Sequence, residues 1–298
     1  MTETTPAFSN VLILGILSFL VLWMGKKRGF FVFSTVPWKV PLNLGHVLSA
    51  FLIYFGVSTF LTPLIGKLLH WILFSHPSPS AFLKYASWIN FINSSLILCF
   101  LVALCFCVPK AVRQGIWFRD KQAGHNYGAS FLTAGFAWVL SFPVVLFTNQ
   151  LFDWLISSVF HVVQMPEQLA VYFLKMTFGH PLYLVLAVLT IIVFAPIIEE
   201  LLFRGFLQSW IRQHLGSKQA ILVTSLLFAF FHYSPEQGVA NITIISSLFV
   251  FSLFIGFVYE KQGALASPIM LHSLFNTINV CNLYFFGGIF DRSLQIHL

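Results

Sequence analysis

Apolar residues run along this chain in long stretches separated by short polar loops, not in the regular alternation of half-buried soluble elements. Eight stretches read as candidate spans, at approximately 8–24, 46–66, 87–108, 128–149, 181–199, 219–233, 241–259 and 264–286. Most reach the roughly 17–25 residues that a helix needs to cross a bilayer. The 219–233 stretch is short, and the expectation there is a core helix surrounded by others. Residues 150–180 are apolar but interrupted by Pro166 and Glu167, which predicts an interfacial or re-entrant piece. Trp117, Phe118 and Arg119 read as an interfacial anchor, and His46, Asn90 and Asn93 as interhelical hydrogen-bonding residues. The expected fold is all-α, a polytopic transmembrane bundle of about eight spans.

Composition sharpens this picture. Of 298 residues, 58% are hydrophobic and 8% charged, against about 25% charged in a soluble domain. Phe alone occurs 36 times, and mean hydropathy is +0.87. The net charge of +7 does not point to nucleic acid, because the basic residues lie in short loops between apolar runs with no basic, aromatic-interleaved patch. There they set orientation. With the N-terminus outside and every span crossing, the inner side holds Lys26, Lys27, Arg28, Lys39, Lys110, Arg113, Arg119, Lys121, Arg204, Arg212, Lys218 and Lys261. The outer side holds only Lys67, Lys84, Lys175 and Arg292. The first apolar run is followed, not preceded, by basic residues, which argues against a cleaved signal. Cys99, Cys105, Cys107 and Cys281 form no CxxC pair and read as free thiols in apolar runs.

Two carboxylates stand out. In IIEELLFRGFL, Glu199 and Glu200 close a charge-free apolar run, whereas the other seven acids read as loop or tail residues. An ionised group in a membrane helix costs about 2.5–3.5 kcal/mol at the centre, so its presence suggests function. At about 100° per residue, Glu200 and Arg204 are nearly in line, while Glu199 and Arg204 are offset by roughly 140°. Arg204 can therefore neutralise Glu200 and leave Glu199 free to exchange protons. Pro196 removes one backbone hydrogen bond just before the pair, and a bend there would aim the glutamates into the bundle.

Two later helices add polar residues within pairs at i, i+4: His232 with Phe228, and His272 with Asn276. Peptide hydrolysis needs an activated water and donors for the developing oxyanion. Glu199 and His232 would share the proton of the water, and His272 and Asn276 would donate to the oxyanion. Alternatively, Glu199, His232 and His272 would ligate zinc with one position open, although HExxH is absent. Both mechanisms stand at this point.

EELLFR, FAFFH and HSLFN, in that order, resemble the EExxxR, FxxxH and HxxxN/D motifs of the CAAX protease and bacteriocin-processing (CPBP) family, the type II CAAX prenyl endopeptidase-like intramembrane proteases. The resemblance covers about 180–290. It implies that Glu199 is the water-activating base assisted by His232, that Glu200 and Arg204 support it, and that His272 and Asn276 stabilise the oxyanion. It implies three regions: N-terminal membrane helices over 1–180, a catalytic membrane core over 181–290 and a short tail over 291–298. The implied substrate is a prenylated CAAX-type tail or another membrane-associated peptide. The implied surroundings are a lipid bilayer, with the inner membrane of a bacterial cell as the expected location. Zinc is the one cofactor under consideration, no nucleic-acid partner is expected, and nothing in the sequence sets an oligomeric state. The competing reading is a non-proteolytic scaffold or immunity protein, or a transporter using Glu199 as a proton relay.

Overall fold

The computed structural model describes residues 8–33, 40–73, 79–118, 127–161 and 168–286. These form an all-α bundle whose one strand-like pairing, among the described residues, is an isolated bridge between Phe118 and Ala264. The helices are α1 (Phe8–Lys27), α2 (Leu44–Gly56), α3 (Thr62–Leu73), α4 (Pro79–Cys107), α5 (Lys110–Trp117), α6 (Tyr127–Phe160) and α7 (Leu169–Met176). They are followed by α8 (Pro181–Leu189), α9 (Ala195–Glu200), α10 (Ser209–Leu215), α11 (Ser217–Phe230), α12 (Ala240–Gln262) and α13 (Ala266–Phe286). Wide π turns at Thr190–Phe194 and Leu201–Gln208 join α8, α9 and α10 into one column of 35 residues.

Among the described residues, six helical stretches, the column among them, are long and apolar enough to cross a membrane. Ile13, Phe19, Leu52, Phe60 and Leu132 point outward from them, as side chains facing lipid do. The chain is a multi-pass integral membrane protein. All eight expected stretches are helical, but two fall outside the six. The α11 helix has only 14 residues, and α13 is interrupted by Ser267, His272, Ser273, Asn276, Thr277 and Asn279.

The α12 helix is the centre of the bundle. Within its apolar window 67% of residues are buried, against 39% or less for the other five stretches. It packs on α6 and α11, while α6 also receives α1 and α13. Its end is set by Gly263 at φ 65°, a left-handed position natural to glycine, whose N–H returns to Tyr259 O at 2.9 Å. Gly205 marks another close approach. A Cβ there would lie 2.9 Å from Ile116 Cγ2 and 3.2 Å from Leu201 Cδ1, so α5 docks directly on the column.

Several sequence expectations are corrected. Residues 150–160 are not a separate piece; they continue α6 to Phe160, Phe152, Trp154, Leu155 and Ile156 extending its apolar surface on either side of Asp153. Pro166 and Glu167 lie outside the described residues. Asp153 is therefore a helix residue, not a loop residue, and Thr243 donates to its Oδ1 at 2.7 Å. Glu260 is buried near the end of α12, where it pairs with Arg212 at 2.9 Å and accepts from Gln208 at 3.1 Å. The α11 helix is not surrounded: Leu222, Leu226 and Phe230 are exposed while Ala220, Thr224 and Phe228 are buried. Trp117 packs against the core, and its carbonyl accepts the Leu265 N–H at 3.3 Å; Arg119 lies outside the described residues. His46 caps its own helix with Asn43, whereas Asn93 does bridge helices, accepting from Thr62 at 2.8 Å.

Gly205→Val is expected to cost about 1–3 kcal/mol through overpacking against Ile116. A lowered thermal midpoint of the detergent-solubilised protein, compared with an exposed control such as Leu132→Val, checks this.

Candidate active site

The column is buried on all sides around Arg204. Leu201, Leu202, Phe203, Arg204, Gly205 and Phe206 are consecutive and all buried, which a helix achieves only when neighbours enclose it. Phe51 of α2 meets Phe203 edge to face at 5.5 Å, and Phe228 of α11 meets it at 5.2 Å. Glu200 and Arg204 are 0% exposed. A charge so placed persists only when it is paired and hydrogen-bonded.

The pairing is dense. Arg204 Nη1 donates to Glu200 Oε1 at 3.2 Å and stands 3.0 Å from Oε2, a distance that serves the ion pair while the bond angle favours Oε1. Nη2 donates to the Ser252 hydroxyl at 2.6 Å and to its carbonyl at 3.3 Å. The guanidinium also lies 4.7 Å from the Phe228 ring centroid, on its face. From α13, His272 Nδ1 meets Glu200 Oε1 at 2.7 Å. Glu200 is thus shared between Arg204 and His272, with the His272 ring held edge-on by Phe251 at 5.6 Å. His272 keeps its Nε2 free of this contact.

Glu199 is differently placed. Its side chain is 17% exposed, and Oε2 is buried with no hydrogen-bond partner. The nearest basic nitrogen recorded against it is His232 Nε2 at 3.8 Å, too far for a hydrogen bond. His232 lies just past the end of α11, where its Nδ1 is 2.8 Å from Phe228 O. A carbonyl only accepts, so Nδ1 carries the proton and a neutral His232 turns the lone pair of Nε2 toward Glu199. The Phe228 ring touches His232 at 4.8 Å and His272 at 6.1 Å between centroids, so it separates the two histidines.

Asn276 docks lower on the column. In the π turn, Ala195 N–H bonds to Thr190 O, one residue earlier than in an α-helix. The Ile191 carbonyl would then await residue 196, but Pro196 has no N–H. Asn276 Nδ2 donates to it at 2.9 Å. The π turn and the proline together create an orphan acceptor, and an α13 side chain fills it.

All six residues singled out in the sequence therefore gather around one column, and the separation of Glu199 from the Glu200–Arg204 pair follows helix geometry. The zinc trio does not fit. Among the described residues no three His, Cys, Asp or Glu side chains converge closely enough to hold a metal ion, Glu199, His232 and His272 included. Two contributors have no signature in the sequence. Ser252 anchors Arg204 from within an apolar run, and Tyr54 of α2, packed on Phe231 at 5.1 Å, lies within electrostatic reach of Glu199. A hydroxyl at helical spacing on α12 would have been the signal for Ser252, but Ser246, Ser247 and Ser252 are equivalent on that ground.

A bundle of membrane helices enclosing a neutralised carboxylate beside a second, unsatisfied one and a histidine defines an intramembrane site suited to acid–base chemistry. Residues 181–278 match the Rce1-like family model, described as type II CAAX prenyl endopeptidase Rce1-like, and this segment carries every residue of the site named from the sequence. An uncharacterized 24.3 kDa protein of Escherichia coli is 31% identical over 102 residues, which is 32% of this chain and 43% of that protein. The chain thus spans less than half of that relative's length. No solved structure matches.

The pairing makes a test of coupling. Arg204→Met leaves the buried Glu200 uncompensated and is expected to destabilise by about 3–5 kcal/mol. Glu200→Gln combined with Arg204→Met should be more stable than Arg204→Met alone, read from denaturant unfolding of the purified protein.

Proposed function

We propose that the protein is an intramembrane endopeptidase that hydrolyses a peptide bond in a membrane-associated peptide, such as a prenylated CAAX-type tail. The observation that carries this reading is the buried Glu199 Oε2, without a hydrogen-bond partner and 3.8 Å from His232 Nε2. Two acceptors at that separation suit a water that donates one proton to each. The water oxygen attacks the scissile carbonyl carbon as Glu199, assisted by His232, takes the proton. The new oxyanion accepts from the Asn276 amide hydrogen not spent on Ile191 and, when His272 carries a proton on each ring nitrogen, from its Nε2–H, since its Nδ1–H is spent on Glu200. The C–N bond then breaks, and the proton held by Glu199 passes to the leaving amine. Glu200 and Arg204 do not touch the reacting atoms. They orient His272 and fix the short α9 helix that carries Glu199.

Along the column, Glu199 stands about 27 Å from Pro181 at 1.5 Å per residue, near the far face of a hydrocarbon layer roughly 30 Å thick. With Lys26 and Lys27 at the end of α1, the positive-inside rule supports an outward N-terminus and a site opening toward the cytoplasmic face of a bacterial inner membrane. This reading routes no step through a metal, since the three proposed ligands do not converge.

Glu199→Gln changes volume little and removes the base. Cleavage is expected to fall by about 10²–10⁴-fold. Comparing protein termini in membranes of cells expressing wild type and the variant checks it: new termini with wild type alone reveal both proteolysis and substrate class. Identical termini at equal expression would favour the scaffold or transporter reading. Once a cleaved peptide is known, cleavage by purified protein is expected to persist after dialysis against EDTA and 1,10-phenanthroline; loss restored by zinc would overturn the metal-free mechanism.

A further inference from the structure

A cavity of about 390 Å³ lies beside the column, between α4, α7, α8 with its π turn, and the 234–237 loop. This is within the roughly 300–1,000 Å³ of ligand pockets. No charged side chain lines it. From α4 it receives Ser87, Asn90 and Ser94, spaced i, i+3, i+7 and so on one face of a membrane-spanning helix. Asn90 is exposed, an unusual position for a carboxamide in a span. Opposite stand Gln168 and Gln237, 6% and 5% exposed, whose Oε1 atoms are buried with no hydrogen-bond partner.

The cavity adjoins the proposed chemistry on two sides. Ile191, which lines it, gives its carbonyl to Asn276. Ser234, also on its wall, follows His232 by two residues. We propose that this cavity binds a short, uncharged stretch of peptide main chain next to the bond being cut. This rests on the endopeptidase reading and names how its substrate is held.

The chemistry selects the occupant. Two buried carboxamide oxygens require N–H or O–H donors, and each left unpaired costs the desolvation of a polar group. Peptide N–H groups supply such donors, and peptide carbonyls accept from the Asn90 amide and the Ser94 hydroxyl, the Ser87 and Ser234 hydroxyls being spent on Leu83 O and Glu236. A lipid acyl chain offers neither. A phosphate group or a chain-terminal carboxylate is anionic and offers only acceptors, and would call for Lys or Arg, which the lining lacks. The largely apolar remainder, including Leu169 and Phe173, accommodates the side chains of a membrane-associated segment.

The test uses the full chain in detergent and an acetyl- and amide-capped tetrapeptide, Val-Ile-photo-leucine-Ala, cross-linked by light and mapped by mass spectrometry. Saturable adducts on residues 87–94 and 168–173 are expected, equal in wild type and Glu199→Gln. They should fall roughly tenfold in Gln168→Met/Gln237→Met, whose side chains are close in size but accept no comparable hydrogen bond, and similarly in Asn90→Leu. Asn90 is exposed, so that variant decides the matter if the double variant fails to fold. Adducts scattered over lipid-facing helices would overturn the proposal. So would equal labelling by the free-carboxylate peptide, indifference to all three substitutions, or preferential labelling of these residues by a diazirine phosphatidylcholine. Mapped, variant-sensitive adducts without any cleavage in cells would leave the peptide site standing and remove the protease; cleavage without adducts would do the reverse.

Discussion

A carboxylate with no access to water must be neutralised where it stands, and Glu200 is such a group. Its partners come from three places: Arg204 one turn along the same column, His272 from α13, and, through Arg204, Ser252 from α12. Satisfying one buried charge therefore fixes the rotation and depth of three helices relative to each other. The same contacts lock the His272 ring with Nδ1 spent, so Nε2 has a single available direction. Glu199 inherits its position from this arrangement, because it precedes Glu200 on a six-residue helix that cannot turn without breaking the network.

Irregular backbone is the second device. The column is not a uniform α-helix, and its two π turns bracket the glutamates. The first turn, acting with Pro196, releases the Ile191 carbonyl that Asn276 claims. The second widens the helix where Arg204 must reach Glu200, Ser252 and the Phe228 face together. Such turns cost hydrogen-bond geometry, and they recur at functional sites because a regular helix cannot present these groups together.

Away from the site, polar groups are handled by local closure. Glu260, Arg212 and Gln208 form a second buried network at the other end of α12, tied to α10 and the column's end. Gly256 makes room for it, since a Cβ there would lie 2.9 Å from Gln208 Oε1. Asp153 is answered by Thr243 across the α6–α12 contact. Buried oxygens without a hydrogen-bond partner occur within these networks too, as at Glu200 Oε2 and Gln208 Oε1; what sets three others apart is their place, Glu199 beside His232, and Gln168 and Gln237 in the wall of the cavity.

Long apolar runs are enough to announce membrane helices, because lipid admits no other backbone at that depth except a closed barrel. Helical periodicity is likewise enough to pair Glu200 with Arg204 and to set Glu199 apart, since those residues share one helix and its geometry is known in advance. The i, i+4 spacings of Phe228 with His232 and of His272 with Asn276 were legible in the chain as well. Contacts between helices were not. That His272 serves Glu200 rather than Glu199, that Ser252 rather than Ser247 meets Arg204, and that Asp153 and Glu260 are helix residues with partners depends on how far each helix runs and how it is rotated. Those quantities come from packing many side chains at once, and from π turns that shift the register by one residue, neither of which leaves a periodic trace in the chain.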